Sequence, residues 1–281
     1  MTIPLKRYPY WSVLSLGANG VLLLAIAYLW QRHPQIEAVQ NLRVAFPSTE
    51  LMAQTPGDEL LEGGDRLKLN YQQWVMLLSQ EAKVAADTQP ERLCILLGDS
   101  ISLWFPGELL PPQENWLNQG ISGETSAGLL RRLELLDDTE PTAIFVMIGI
   151  NDLLKGVKEE TILANQKLIV RYLKQQHPNA KIVLQSILPH SGSKATWEGR
   201  DRLAQIPNER ILQLNTRLWE IADSEGVLFL NLYPLFADET SSLRLDLTSD
   251  GLHLNRNGYQ LWQTALQVFI QVRVDGEGAR Q

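Results

Sequence analysis

Cysteine is almost absent from this 281-residue chain, and the single example, Cys94, excludes an intramolecular disulfide. It lies in the apolar run LCILL, a usual setting for a buried strand residue. The four histidines do not pair with cysteines or with each other at metal-ligand spacing, and no HExxH sequence occurs. We therefore predict that the protein needs neither a metal nor any other cofactor.

Excess positive charge is also lacking. The formal net charge is -7, and no cluster of lysine and arginine occurs, whereas a protein that binds nucleic acid needs a basic face to neutralise phosphates. We therefore predict no nucleic-acid partner. With 44% hydrophobic and 20% charged residues, the chain has the composition of a folded protein with a substantial core.

Long hydrophobic runs are confined to one place, residues 12–30, which carry no charge. As a helix this run would extend about 28 Å, close to the thickness of a bilayer core. Lys6 and Arg7 precede it, and aromatic residues lie near both of its ends. The pattern predicts a membrane anchor with a cytoplasmic N-terminus and the rest of the chain on the other side.

A cleaved signal peptide is the alternative, because Ala25-Ile26-Ala27 resembles a small-x-small cleavage site. Tyr28, Leu29 and Trp30 prolong the apolar run past that site, which favours the anchor. A buried globular helix is a third interpretation. Under the first two, the main domain is exported, either membrane-anchored or secreted.

Three regions follow from these patterns: an anchor or signal segment at 1–32, a proline-containing linker at 33–65, and one domain at 66–281. The domain is predicted to start with an amphipathic packing helix over 66–86. Five short apolar runs then alternate with helical segments predicted at 126–137, 159–176, 208–225 and 257–272. The runs are RLCILL, WLNQG, AIFVMIG, KIVLQSIL and VLFLNL.

Apolar strands that alternate with helices predict an α/β fold, a parallel five-stranded sheet covered on both faces. Functional residues of such sheets gather at the carboxyl ends of the strands. Three turns there carry useful groups: Gly98-Asp99-Ser100, Gly120 to Thr125, and Gly149 to Asp152. Ser100 is a nucleophile or a helix cap, Gly123 an anion-binding backbone or a plain turn, and Asn151 an oxyanion donor or a cap.

A fourth turn, Asp250-Gly251-Leu252-His253, precedes the last predicted helix. A carboxylate three residues before a histidine can accept from Nδ1, which leaves Nε2 free to take a serine proton. Taken singly, this pattern is also common in surface loops. Together, the four turns supply a nucleophile, a base, an orienting acid and oxyanion donors, which is the set that acyl transfer requires.

The segments GDS, GISGET, GIND and DGLH resemble the four blocks of the GDSL-type SGNH hydrolases, a family of esterases and lipases, in order and in spacing. Ile101 replaces the leucine that commonly follows the serine. The GxSxG elbow of α/β-hydrolases is not present at Ser100. The resemblance covers roughly residues 92–272 and implies a flavodoxin-like three-layer α/β/α sandwich.

The resemblance also implies the roles of the site residues. Ser100, Asp250 and His253 would form the catalytic triad, and Ser100, Gly123 and Asn151 would form the oxyanion hole. The implied reaction is hydrolysis of an ester of a glycan, a lysophospholipid or a small molecule. Two alternatives stay open: an O-acyltransferase acting on an envelope glycan, and an inactive, membrane-tethered carbohydrate-binding module.

Several neighbouring residues have more than one interpretation. His190 either lines the pocket or lies in a solvated loop. Asp99 and Asp152 are expected to hold their loops by hydrogen bonds. Three aromatic residues form an apolar wall for the acyl group or simply pack in the core: Trp104, Phe105 and Trp197.

Overall fold

The computed structural model of the chain describes residues 69–276. The predicted anchor or signal segment at 1–32, the linker at 33–65 and the first residues of the predicted packing helix lie outside this range. Within it, no helix combines the length and the apolar character needed to cross a bilayer. The prediction for residues 12–30 therefore stays a prediction.

Five strands form a single parallel sheet in the order β2-β1-β3-β4-β5, the flavodoxin-like order. All five coincide with the apolar runs seen in the sequence, although β3, β4 and β5 end before those runs do. Their bounds are Leu93–Gly98 (β1), Asn115–Gly120 (β2), Ala143–Met147 (β3), Lys181–Gln185 (β4) and Leu228–Leu230 (β5).

Both faces of the sheet are buried. In β3, Ala143, Phe145 and Met147 belong to one core, whereas Ile144 and Val146 belong to the core on the opposite face. The period of two in a pleated strand explains this division, and burial on both faces explains why the strands are continuously apolar. The predicted three-layer α/β/α architecture is what the structure has.

Helices cover these faces. Their bounds are Tyr71–Thr88 (α1), Ser100–Leu103 (α2), Ser126–Arg131 (α3), Ile150–Leu154 (α4), Glu159–Gln176 (α5), Arg200–Leu203 (α6), Asn208–Glu225 (α7), Tyr233–Phe236 (α8) and Arg256–Phe269 (α9). The predictions at 159–176 and 208–225 match α5 and α7. The prediction at 126–137 does not hold as one helix, because α3 ends at Arg131 and a 3₁₀ turn follows at Leu133–Leu136.

The last and first helices also differ from prediction at their ends. The α9 helix starts one residue earlier than predicted and passes into a π-helical turn at Ile270–Val274. The α1 helix starts at Tyr71 because Asn70 and Gln73 form a capping box. It ends at Thr88, followed by Gln89 in the left-handed conformation. Trp74 and Leu78 lie on the apolar side of this helix and are buried.

Two glycines let α2 lie close to the strands. A Cβ on Gly98 would come within 2.5 Å of the Met147 carbonyl oxygen, and one on Gly120 within 2.4 Å of the Leu103 backbone nitrogen. Only a residue without a side chain fits at either position. The chain can therefore turn sharply after β1 and present the start of α2 at the carboxyl edge of the sheet.

Candidate active site

Ser100 is the first residue of α2, directly after β1. Asp99, not Ser100, caps this helix, because its carboxylate accepts a hydrogen bond from the Ile101 backbone N–H at 3.0 Å. The capping interpretation of Ser100 is therefore wrong. The Ser100 side chain is instead free to meet His253, whose Nε2 lies 3.1 Å from Ser100 Oγ.

The turn from Asp250 to His253 brings an imidazole and a carboxylate together. His253 Nδ1 lies 2.7 Å from Asp250 Oδ2, and Asp250 Oδ1 accepts from the backbone N–H groups of Leu252 and His253 at 2.9 and 2.8 Å. Burial of Asp250 opposes its ionisation, but these hydrogen bonds outweigh it and lower the pKa of the carboxyl. An ionised Asp250 holds the proton on Nδ1 and leaves Nε2 to face the serine.

The loop after β4 supports this turn through its backbone. The N–H groups of Thr196 and Trp197 donate to the Asp250 carbonyl oxygen at 2.8 and 3.0 Å. The Ser191 N–H donates to the Gly251 carbonyl oxygen at 2.8 Å. Gly251 has φ of +90°, and a Cβ there would meet Ala195 at 2.6 Å. The turn therefore needs glycine and is fixed by a loop far away in sequence.

Asn151 lies in α4, directly after β3, and β3 is the neighbour of β1 in the sheet. Its side-chain nitrogen, Nδ2, is buried and has no hydrogen-bond partner. A buried N–H group without a hydrogen bond destabilises the folded protein unless a ligand accepts from it. Donors that bind an oxyanion lack a partner until the substrate is present. No side-chain cap is found at α4, so the capping interpretation of Asn151 fails.

Gly123 lies in the turn after β2, at the same edge of the sheet. It has φ of +73°, a conformation that favours glycine, and open space where a Cβ would stand. Lys155 Nζ donates to the Gly123 carbonyl oxygen at 2.7 Å. That contact fixes the peptide plane on the C-terminal side of Gly123, while the space around its Cα stays accessible to a ligand.

Asp99 and Asp152 make the loop-holding hydrogen bonds that the sequence suggests. Asp152 accepts from Ser126 N–H at 2.8 Å and from Ser126 Oγ at 2.6 Å, and so joins the turns after β2 and β3. Burial raises the pKa of Asp99 to about 7, although the hydrogen bond from Ile101 and the proximity of His253 act in the opposite direction.

His190 agrees with neither of its two interpretations. It is 2% exposed, so it is not in a solvated loop. Both ring nitrogens are occupied by backbone: Nδ1 accepts from Gly192 N–H at 3.0 Å, and Nε2 lies 2.7 Å from the Ile206 carbonyl oxygen. With no free nitrogen, His190 is a structural residue, and its burial lowers its pKa.

Of the three aromatic residues near the motifs, two flank His253. The Trp104 ring centroid lies 4.2 Å from that of His253, and the Trp197 centroid lies 6.4 Å away with the ring nearly perpendicular. Phe105 is buried and packs against Tyr259 and Trp262. Phe105 therefore belongs to the core, whereas the two tryptophans border the site.

Residues 96–261 match the sequence model of the GDSL-like lipase/acylhydrolase family, and this range covers more than half of the chain. The chain belongs to this family. Its four turns are thus those of a GDSL hydrolase, as the resemblance of the motifs implies.

Individual relatives of this GDSL protein include enzymes with different names. A platelet-activating factor acetylhydrolase IB subunit alpha1 from Bos taurus is 27% identical over an alignment of 200 residues that covers 66% of this chain and 77% of the relative. An N-acylneuraminate cytidylyltransferase from Streptococcus agalactiae is 26% identical over 176 residues, 63% of this chain. The match spans only 38% of that relative's length.

Solved structures agree on the fold. A platelet activating factor structure from Streptococcus pneumonia superposes with a TM-score of 0.62 at 26% identity, covering 69% of this chain and 91% of the other. A GDSL-like lipase from Bacteroides thetaiotaomicron gives 0.57 at 21% identity, covering 69% and 98%.

A buried ion pair behind the turn after β2 is not evident from the sequence. Arg132 donates to the Glu124 carboxylate and, at 2.7 Å, to the Gln119 carbonyl oxygen, while Tyr71 Oη donates to Glu124 at 3.1 Å. The ion pair fixes Glu124 near the end of the GISGET segment, and Tyr71 links this residue to α1. Glu124 and Arg132 are eight residues apart, and neither residue is diagnostic by itself.

The GDSL protein also has a groove of about 540 Å³ between α7, β5 and the C-terminal π-helical turn. Among the residues that line it are Trp219, Asp223, Phe229, Asn231 and Arg273. None of the described residues that line it is a serine, cysteine or histidine. The groove is therefore separate from the turns that carry Ser100, Asp250 and His253.

Proposed function

We propose that this protein is a carboxylic ester hydrolase with Ser100 as nucleophile, His253 as general base and Asp250 as the residue that orients the base. The observation that carries the proposal is the continuous chain of contacts from Ser100 Oγ through His253 to Asp250, at 3.1 and 2.7 Å. Family membership and relatives named as acetylhydrolase and arylesterase support the same reaction class.

In the proposed mechanism, His253 Nε2 takes the proton of Ser100 as Oγ attacks the ester carbonyl carbon. The tetrahedral intermediate collapses when His253 returns that proton to the departing alcohol oxygen, so the carbon–oxygen bond to the alcohol breaks. Water then attacks the acyl-enzyme, gives its proton to His253, and releases the acid as Ser100 regains its proton. Asp250 stays ionised throughout and balances the imidazolium charge.

The negative oxygen of the intermediate needs donors that are already in place. We propose the backbone N–H groups of Ser100 and Gly123 and the Asn151 side-chain amide. The buried and unpartnered Asn151 Nδ2 supports this role, because binding the oxyanion would satisfy it. Each such donor contributes about 3 to 4 kcal/mol to the transition state in comparable sites.

Hydrolysis of p-nitrophenyl acetate, butyrate and palmitate by the full-length protein, beside its Ser100→Ala variant, tests the proposal. We expect ester hydrolysis by the wild type and its loss in the variant, and the acyl series then gives the preferred chain length. A folded wild type that hydrolyses none of the esters would contradict hydrolase function. Products formed only with a glycan acceptor would instead identify a transferase that uses the same serine.

We also propose that residues 12–30 anchor the protein in a membrane, with the hydrolase domain on the non-cytoplasmic side. The support is the charge-free run with Lys6 and Arg7 on its N-terminal side. Mass spectrometry of protein extracted from membranes should give the mass of the uncleaved chain. A mass that lacks the first 27 or so residues would establish a cleaved signal peptide instead.

A further inference from the structure

Trp104 and Trp197 border the candidate active site, and no role in the proposed mechanism is assigned to them. Trp104 is 36% exposed and follows the nucleophile segment, whereas Trp197 is partly buried and comes from the loop after β4. They approach the same imidazole, at centroid distances of 4.2 and 6.4 Å. Two distant segments therefore each place an indole next to the general base.

The position of the base decides which part of a substrate these rings meet. In ester cleavage by a serine, the histidine delivers its proton to the departing alcohol oxygen, so the alcohol leaves along the side of the histidine. The acyl carbonyl is held by the oxyanion donors, which come from other turns. Rings that contact His253 therefore border the alcohol portion of the ester and not its acyl chain.

The Trp197 ring is held in a fixed position. It packs so closely on Gly199 that a Cβ there would come within 2.3 Å of the indole. The exposed Arg202 guanidinium lies 5.5 Å from the ring centroid, within the range of a cation–π contact. The edge of the site thus carries indole surface beside a guanidinium with several hydrogen-bond donors.

We propose that Trp104 and Trp197 form the alcohol subsite of this enzyme and select esters of ring alcohols, whose flat faces pack on indole, over esters of open-chain alcohols. The inference depends on the proposed esterase function. A sugar ring and an aryl ring both supply the required face. Arg202 favours the sugar, because its guanidinium can donate to ring hydroxyls.

The test compares three acetates of primary alcohols: benzyl acetate, methyl 6-O-acetylglucopyranoside and hexyl acetate. We expect the wild type to cleave the ring esters with higher kcat/KM than hexyl acetate. Trp197→Leu should lower the ratio of kcat/KM for the ring esters to kcat/KM for hexyl acetate by roughly five- to tenfold. Trp197→Phe keeps an aromatic ring and is close to leucine in size, so this variant should keep most of the ratio. In both variants the ratio of kcat/KM for p-nitrophenyl butyrate to kcat/KM for the acetate should stay within about twofold of the wild-type ratio.

Trp219→Ala is the matched control, since Trp219 is 53% exposed and lies in the groove on α7. It should alter neither ratio. A wild type that prefers hexyl acetate would overturn the proposal. So would a Trp197→Leu variant that changes its preference for acyl length and keeps the wild-type preference for the alcohol. Failure of the wild type to hydrolyse any ester would instead contradict the esterase function itself. A preference for the sugar over the benzyl ester would identify a glycan as the alcohol, and the reverse an aryl alcohol.

Discussion

Two buried histidines of this protein, His253 and His190, have nearly the same exposure, 6% and 2%, and differ in what their ring nitrogens contact. His253 bonds a carboxylate with one nitrogen and a serine hydroxyl with the other. His190 bonds only backbone groups, of Gly192 and Ile206. Burial and hydrogen bonding are thus common to both, and the difference is that His253 contacts two side chains whereas His190 contacts only backbone.

Three asparagines with buried amide groups show the same contrast. Asn215 bonds the backbone N–H and carbonyl of Ile187, both at 2.8 Å, and Asn208 does the same for His190, at 3.0 and 2.8 Å. The Asn151 Nδ2 has no partner. The α7 helix therefore uses two polar side chains to satisfy the backbone of the loop after β4, whereas the edge near Ser100 keeps a donor available. Substitutions on the two sides should consequently have different effects.

The largest effect is expected for His253→Ala. Without a base, Ser100 is a weak nucleophile, and kcat/KM should fall by about 10⁴-fold or more. The melting temperature should change little, since the ring is not a backbone support. Ester hydrolysis and thermal unfolding of the same preparation measure both quantities. Near-full activity in this variant would show that His253 is not the base.

Asp250→Asn should have a smaller effect, about 10²- to 10³-fold in kcat. Asparagine can still accept from the backbone N–H groups of the turn, but its amide would face His253 Nδ1 and favour the wrong tautomer. Because the turn keeps its shape and the imidazole stays in place, the loss should stay below that of His253→Ala. A loss equal to that of His253→Ala would mean that orientation depends on the carboxylate alone.

Asn151→Ala should lower kcat by about 10²- to 10³-fold with little change in KM, because an oxyanion donor acts mainly in the transition state. Asn215→Ala is its matched control on the structural side. The control should lower stability, since Ile187 would lose both hydrogen bonds, and should leave kcat nearly unchanged. If the two variants exchanged these effects, the contrast between the asparagines would be wrong.

His190→Ala should lower the free energy of unfolding by about 2 to 4 kcal/mol, because Gly192 N–H and the Ile206 carbonyl lose their partner and a cavity forms. Below the unfolding transition, kcat/KM should change by less than about tenfold. Denaturant unfolding and hydrolysis measured together test this. A collapse of kcat/KM in a stable variant would place His190 among the functional residues.

The smallest effect is in the pH dependence of stability. Burial lowers the pKa of His190, so below its ordinary value of 6.5 the unfolded chain binds a proton on this ring that the folded chain binds less readily. The wild type should therefore lose stability as the pH falls from about 7 to 5, and His190→Ala should lose less. His177, whose pKa burial also lowers, is present in both proteins and cancels.

Much of this arrangement was predictable from the sequence, for identifiable reasons. Strands buried on both faces are continuously apolar, so their positions stand out, and turns at their ends concentrate glycine, serine, asparagine and aspartate. The residues Ser100, Asp250 and His253, which the structure brings into contact, come from such turns. Local patterns were therefore sufficient to nominate these three residues.

What could not be predicted depends on contacts between distant segments. The α3 helix stops at Arg131 where the next residue, Arg132, is held by its ion pair with Glu124 and by Gln119. The loop that carries Trp197 meets the Asp250 turn only after folding. The structural role of His190 depends on its contact with the Ile206 carbonyl, 16 residues away in the sequence.

Intact-protein and peptide mass spectrometry after reaction with a fluorophosphonate tests the central claim most directly. The account predicts one adduct per chain, located on Ser100, which forms far more slowly in the His253→Ala variant. A folded wild type that gives no adduct, or one located on another residue, would contradict the claim that His253 activates Ser100 as a nucleophile.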